Sequence, residues 1–345
     1  MNRIEDQQLI GEAPAFQEVL ERVSRVAQLN RPVLVIGERG TGKELIAARI
    51  HYLSPRWDKP YVKLNCAALT DSLLESELFG HEAGSFTGAL KRRLGRFELA
   101  NQGSIFLDEL ANTSDRVQEK ILRVIEYGEL ERVGGSETIR SDVRIVGATN
   151  EDLPGLTETG RFRADLLDRL AFDVITLPPL RDRREDIIPM AEHFAVKMCG
   201  ELRLSVFPGF SGKAKQQLLD YPWPGNVREL KNVSERAVYS SAGEAKTIDS
   251  IVFDPFDSPW RPQLQVKAAA EPETAALPEQ PYDFKEHVQQ MEITLLQDAL
   301  ERSRFNQKKT AEFLGLTYHQ LRGYLRKYDL TDGTNNEDEA QASSG

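Results

Sequence analysis

Cysteine is scarce in this sequence, with only Cys66 and Cys199 among 345 residues, which fits a reducing cytoplasm. The start, MNRIEDQQLIGEA, has neither the basic n-region nor the apolar h-region of a secretory leader. No apolar run approaches the roughly 20 residues needed to span a bilayer, so no membrane insertion is expected and the expected location is cytoplasmic. The five histidines and two cysteines show no metal-ligand spacing, which argues against a structural zinc. Net positive charge is lacking too: the formal charge is −10, and taken alone this opposes nucleic-acid binding. Its distribution says otherwise. Residues 302–328 carry Arg302, Arg304, Lys308, Lys309, Arg322, Arg326 and Lys327 against a single acid, Glu312, so the partner question belongs to the C-terminus.

A chain of this length exceeds one domain of about 100–200 residues. Residues 15–29 place Phe16, Val19, Leu20, Val23 and Val26 at helical spacing, and PVLVIG (32–37) reads as a buried strand entering a glycine loop. Short apolar strands follow at Tyr61–Cys66, Ser104–Leu107, Val143–Val146 and Phe172–Leu177, separated by helical patterns at 115–127 and 161–170. Strands alternating with helices imply an α/β domain with a mostly parallel sheet covered on both faces. The pattern turns wholly helical from about 184 to 240, as for a smaller helical subdomain. Residues 253–282, rich in Pro, Ala, Glu and Gln, read as a flexible linker. An amphipathic helix over 284–300 and the basic segment come next, and the polar, acidic residues 331–345 read as a disordered tail. The domains expected are therefore 1–180, 181–252 and 283–330.

GERGTGKE (37–44) meets the G-x-x-x-x-G-K spacing after a strand and before a helix. Gly37, Gly40 and Gly42 let the backbone curl so that amides point at phosphate oxygens, with Glu38, Arg39 and Thr41 between them, and Lys43 adds charge. The usual Ser or Thr that ligates Mg²⁺ is Glu44 here. A chance glycine turn is the alternative, and SIFLDE (104–109) opposes it. That strand ends in two carboxylates, suiting Asp108 to hold Mg²⁺ beside ATP and Glu109 to polarise an attacking water. VRIVGATN (143–150) ends in Thr149 and Asn150 at the carboxyl edge of the sheet, placed either to orient that water or simply to start a loop. GRFRADLLDRL (160–170) presents Arg163 and Arg169, which are solvated or, in an oligomer, reach a neighbour's γ-phosphate.

Together GERGTGKE, ELFGHEAGSFTGA (77–89), GRFELANQGSIFLDE (95–109), VQEKILRVIEYGELERVGG (117–135), FRADLLDRL (162–170), LPPLRDRREDI (177–187) and WPGNVRELKN (223–232) resemble the sigma-54-dependent transcription activators. These bacterial enhancer-binding proteins are AAA+ ATPases. The resemblance covers about residues 9–250 and the C-terminal segment. It implies an AAA+ phosphate-loop ATPase fold with a helical lid and a C-terminal helix-turn-helix, assembled as a hexameric ring with ATP between subunits. It also implies roles: Asn65 as the switch restraining Glu109, Thr149 and Asn150 as sensor I, Arg228 as sensor II, and Arg163 with Arg169 as trans-acting fingers. Glu44 is the family's own residue at its position. Gly84–Ala89, GSFTGA, implies a loop that contacts the sigma-54 RNA polymerase holoenzyme through Gly84, Ser85, Phe86, Thr87, Gly88 and Ala89, with Phe86 and Thr87 as working residues and Ser85 in place of the usual alanine. The likeness lies nearest the phage-shock branch, which implies envelope-stress genes as targets and an inhibitory PspA-like protein acting in trans. No sensor domain fits ahead of Leu9, so control is expected from such a partner or from expression level. Trp57, in the polar loop SPRWDKP, is either an exposed anchor for that inhibitor or a packed loop residue.

Residues 306–327, NQKKTAEFLGLTYHQLRGYLRK, read as helix, glycine turn, helix, with Ala311, Leu314, Leu316, Leu321 and Leu325 facing inward. Thr317, Tyr318, His319, Gln320 and Arg322 then lie near the start of a recognition helix for enhancer DNA, while Lys308, Arg326 and Lys327 suit phosphates. A helical hairpin for dimerisation is the bland alternative. Two other classes compete for the whole chain, an AAA+ chaperone or helicase-type motor and a repressor with a vestigial ATPase. GSFTGA speaks against the first, and intact Lys43, Asp108 and Glu109 speak against the second.

Overall fold

The computed structural model describes residues 9–86, 89–241, 246–258, 260–261, 283–303, 305–328 and 330. Thr87, Gly88, Arg304, residues 262–282 of the expected linker and the expected tail 331–345 lie outside the described residues. The chain divides into two compact units, residues 1–259 and 260–345.

In chain order, the α/β part of the first unit runs α1 (Pro14–Ala27), β1 (Val33–Ile36), α2 (Lys43–Tyr52), β2 (Tyr61–Asn65), α3 (Asp71–Phe79), β3 (Gly80–His81), β4 (Arg93–Leu94), α4 (Arg96–Leu99), β5 (Ser104–Asp108), α5 (Asp115–Tyr127), β6 (Glu129–Glu131), β7 (Thr138–Arg140), β8 (Arg144–Thr149), α6 (Leu153–Glu158), α7 (Ala164–Leu170) and β9 (Val174–Thr176). Five parallel strands form one sheet in the order β2-β5-β8-β1-β9. The three central strands are almost continuously apolar because both their faces are covered. Leu78, Ile121 and Leu166 pack on one face, and Val23, Ile46 and Ile50 on the other. At the rim, β2 is half-exposed and carries Lys63, which pairs with Glu44 at 2.6 Å. Arg144, buried at the start of β8, donates to the carbonyls of Val26 (2.8 Å), Ala27 (2.8 Å) and Arg31 (3.1 Å), so it ties the end of α1 and the turn after it to the sheet.

Several boundaries differ from the sequence expectation. The last strand begins at Val174 rather than Phe172, whose ring is exposed beneath the Arg31 guanidinium. The helix expected from 161 begins at Ala164, with Arg163 as its extended N-cap. Of the two ends read for the strand that begins near Val143, the structure has the later: β8 runs from Arg144 to Thr149 rather than stopping at Val146. Two small antiparallel pairs, β3 with β4 and β6 with β7, were not anticipated.

A helical lid follows, with α8 (Arg184–Glu201), α9 (Gly212–Asp220) and α10 (Asn226–Ser240) around fully buried Trp223, whose Nε1 donates to the Leu218 carbonyl at 2.8 Å. Its packing continues to Phe253, which stacks on Tyr221 at 4.2 Å, one residue into the stretch expected to be linker.

The second unit holds α11 (Phe284–Arg302), α12 (Gln307–Phe313) and α13 (Tyr318–Lys327), with Leu296, Leu300, Ala311, Leu321 and Leu325 as its core. Gly315 makes the turn at φ +64°. Only the last part of α11 is buried; Val288, Met291 and Leu295 are exposed.

Candidate functional site

The strand end of β1 delivers Gly37, whose amide donates to the Thr149 carbonyl at 3.2 Å, and the loop then curls into α2. Gly42 caps that helix at φ +100°, with open space where a Cβ would lie. Lys43 Nζ donates to the carbonyls of Gly37 (2.7 Å) and Glu38 (3.0 Å), and buried Thr41 donates through Oγ1 to Glu38 O at 2.8 Å. Arg39 to Glu44 line a cleft of about 360 Å³ that also holds Asp108, Glu109 and Arg228, a size suited to a small ligand.

Asp108 and Glu109 stand where β5 ends. Burial pushes the Asp108 carboxyl above its ordinary value, opposed by the Glu109 amide (3.0 Å) and the charge of Lys43, while burial lowers the Lys43 ammonium. Glu109 adopts a left-handed φ of +52°, a conformation unfavourable for a side chain that recurs where function holds it. Cys66, beside these acids, has its thiol pushed up to about 12 by burial and by their charges, so thiolate chemistry is not available.

The other expected residues are distributed around this centre. Asn65 is the ladder partner of Asp108, and its Oδ1 accepts from the Ala67 amide at 2.9 Å; among the described residues no hydrogen bond joins it to Glu109. Thr149 is buried and its Oγ1 accepts from Glu151 N at 2.9 Å, whereas Asn150 is exposed. Arg163 pairs with Asp165 (2.7 Å) and Arg169 with Glu126 (2.9 Å), and neither lines the cleft of its own chain.

Several lining residues gave no signal in sequence. Ile10 comes from the segment before α1, and Met190, His193, Phe194 and Lys197 come from α8. The segment is pinned by a buried pair. Asp186 accepts from the amides of Glu12 (2.6 Å) and Ala13 (2.9 Å) and from Arg183 Nε (2.9 Å). The Arg183 guanidinium also lies 3.8 Å from the Phe16 ring centroid.

Gly84–Ala89 lies between β3 and β4. Gly84 N donates to Ala89 O at 2.8 Å, and the Phe86 ring meets His81 edge-on at 5.0 Å while remaining 42% exposed. Ser85 packs on Gly134 of the β6–β7 turn, its Oγ buried without a hydrogen-bond partner among the described residues. Below the loop, Arg132 joins Glu82 (2.9 Å) to Glu98. Trp57 is 63% exposed, which favours the surface reading over the packed one.

In the second unit Thr317 and Gln320 form a reciprocal cap at the start of α13. His319, Gln320, Arg322 and Arg326 are exposed, opposite buried Leu321 and Leu325. Lys327 is engaged by Glu292 (3.4 Å) and the Tyr328 hydroxyl. Lys308 is exposed on α12.

The chain belongs to the sigma-54-dependent transcription activators. Residues 9–176 match the Sigma-54 interaction domain, 181–256 the AAA+ ATPase lid domain, and 288–328 the bacterial regulatory protein Fis family. The Psp operon transcriptional activator of Escherichia coli K12 is 59% identical, with 93% of this chain and 98% of that protein covered. The Nif-specific regulatory protein of Azotobacter vinelandii is 45% identical over 91% of this chain but only 57% of its own length. The crystal structure of NtrX from Brucella abortus in complex with ATP superposes with a TM-score of 0.66 at 30% identity, covering 93% of this chain and 70% of that one. The fold is thus an AAA+ sheet with lid and a Fis-type helix-turn-helix, and no described helix is long and apolar enough to cross a membrane.

Proposed function

We propose that this activator binds upstream enhancer DNA and uses ATP hydrolysis to remodel the sigma-54 holoenzyme from closed to open complex, at phage-shock genes. The observation that carries the reading is the convergence of Lys43, Asp108, Glu109 and Arg228 on one cleft below the curled loop 37–44. Loop amides and Lys43 hold the phosphates, and Arg228 on α10 brings the lid's charge to them. Asp108 would hold a magnesium ion together with phosphate oxygens, since no group of three candidate protein ligands stands among the described residues. It fits the usual arrangement of one carboxylate plus phosphate oxygens, in which the ion would screen phosphate charge. Glu109 takes the proton of the attacking water.

Arg163 and Arg169, remote from their own cleft, serve the neighbouring subunit of a hexameric ring, with Asn65, Thr149 and Asn150 tuning the position of the water. Gly84–Ala89 meets sigma-54, and Arg132 links the base of that loop to α4 beside β5. Exposed His319, Gln320 and Arg322 read bases, while Lys308, Arg326 and Lys327 face phosphates. Trp57 anchors a PspA-like inhibitor. The test is transcription from a sigma-54 promoter in vitro. Open complexes should form with ATP and not with a non-hydrolysable analogue; equal output with both would overturn the reading. Trp57→Ala should abolish inhibition by the PspA-like protein while ATPase activity persists.

A further inference from the structure

We infer that the side chain of Glu38, although it sits inside the phosphate loop, serves the lid rather than the nucleotide, and that Asn226 and Arg181 are positioning residues that fix Arg228 over the loop. The inference rests on the proposed nucleotide site. Asn226 opens α10 fully buried, in a left-handed conformation at φ +53°. Its Oδ1 accepts from the Leu180 amide at 2.8 Å, while its Nδ2 donates to Glu38 Oε2 at 3.1 Å and to the Arg39 carbonyl at 3.0 Å. These three contacts allow a single orientation of the amide, because a flip would set oxygen against carboxylate and carbonyl, and NH₂ against an N–H.

Arg181 holds the same carboxylate two-pronged, Nη1 to Oε2 at 2.9 Å and Nη2 to Oε1 at 2.6 Å. Both Glu38 oxygens are therefore turned to lid-side donors. Nearby, Arg228 N donates to the Gly40 carbonyl at 3.3 Å, and a Cβ on Gly40 would lie 2.3 Å from Gly225 O. Loop and lid turn are in direct contact, and Leu180 sits in the short turn where the chain crosses from sheet to lid. One side chain thus ties the crossing point, the phosphate loop and the start of the helix that carries Arg228. Asparagine suits the place for two reasons: it tolerates the left-handed backbone, and its amide offers donor and acceptor together. Aspartate would point a carboxylate at Glu38 and at the Arg39 carbonyl. Glycine would keep the backbone and lose all three bonds.

The experiment uses the full chain and reads ATP turnover at saturating ATP, together with hydrogen–deuterium exchange of residues 37–45 without nucleotide. N226D should lower turnover by about 10- to 100-fold, the scale of a small misplacement of a charged group, and N226G should lower it less. Adding E38Q to N226D should recover part of the loss, because it removes the facing charge. In an R228A background N226D should change turnover by less than about twofold, as expected for residues acting through one group. Exchange of 37–45 should quicken in N226D and slow again in the double variant. If the N226D and E38Q losses simply multiply, or N226D costs as much in the R228A background, the inference is overturned. If the wild type does not hydrolyse ATP, the proposed function fails while exchange still decides the tie: unchanged exchange in N226D overturns it.

Discussion

Replacing Asp186 by alanine tests how the segment before α1 is held against the lid. Asp186 and Arg183 are both almost fully buried, with side-chain exposures of 1% each, and burial already lowers the pKa of the Arg183 guanidinium. Removing the carboxylate leaves that cation without its partner and strips the Glu12 and Ala13 amides of their acceptor. Breaking a buried pair from one side costs about 3–5 kcal/mol, and the bond to the Glu12 amide is only partly buried, so its loss adds less than that of the buried Ala13 amide. A domain of this size loses roughly 2–4 °C in Tm per kcal/mol, which gives a fall of about 6–20 °C. Scanning calorimetry of the full chain measures it. The double replacement R183M/D186L separates the two contributions: exchanging both charges for apolar groups should recover the part due to the stranded cation, leaving only the cost of the two amides. A fall of less than about 2 °C in D186A, well below what a broken buried pair predicts, would refute the reasoning.

Glu109→Gln should leave ATP binding intact and abolish hydrolysis, as measured by equilibrium nucleotide binding and phosphate release; unchanged turnover would remove Glu109 from the role of base. Ser85→Ala removes a buried hydroxyl with no partner among the described residues. It should hold the 84–89 loop more firmly on Gly134, seen as slower hydrogen exchange, and faster exchange would contradict the packing. Arg181 first, then Asn226, hold the Glu38 carboxyl at about 2 against an ordinary 4.5. A lowered carboxyl contributes stability that is fully present above about pH 4.5 and lost as pH falls toward 2. Carboxyl NMR should find its midpoint near 2, and a midpoint at the ordinary value would dissolve the tie. Arg326→Ala should weaken DNA binding across sequences and reduce the slope of log affinity against log salt by about 1; an unchanged slope would place Arg326 off the phosphates.

The parts of this structure that sequence makes legible are those whose signal is local. Residues 115–127 carry a clear helical stripe, and α5 occupies exactly that span because Gly128, at φ +67°, stops it. The phosphate loop and the paired acids were legible for the same reason, since glycine spacing and an apolar strand ending in carboxylates need no distant partner. Phe172 misled because an apolar residue beside a strand looks like its start, whereas here its ring lies outside under Arg31. Strands of two or three residues, such as β3 and β6, are too short for any period. The lid half of the cleft was illegible for a deeper reason. Ile10 and Phe194 line one cleft with the segment before α1 held by the pairing of Asp186 with amides more than 170 positions away, and in sequence REDI reads as an ordinary charged helix start. Asn226 was likewise invisible, since nothing in WPGNVREL shows that its amide is shared among three backbone and side-chain partners.

The two rims of the sheet bear on how copies of the molecule can coexist at high concentration. A naked strand edge invites a second sheet to anneal onto it, the first step toward fibrillar aggregates. Here β2 closes one side with the ammonium of Lys63 tethered to Glu44, and β9 closes the other with only three residues next to the Arg22–Asp173 pair. Short length and fixed charge at the margins make edge-to-edge growth of this sheet unfavourable, which keeps its backbone edges from acting as templates when molecules crowd together.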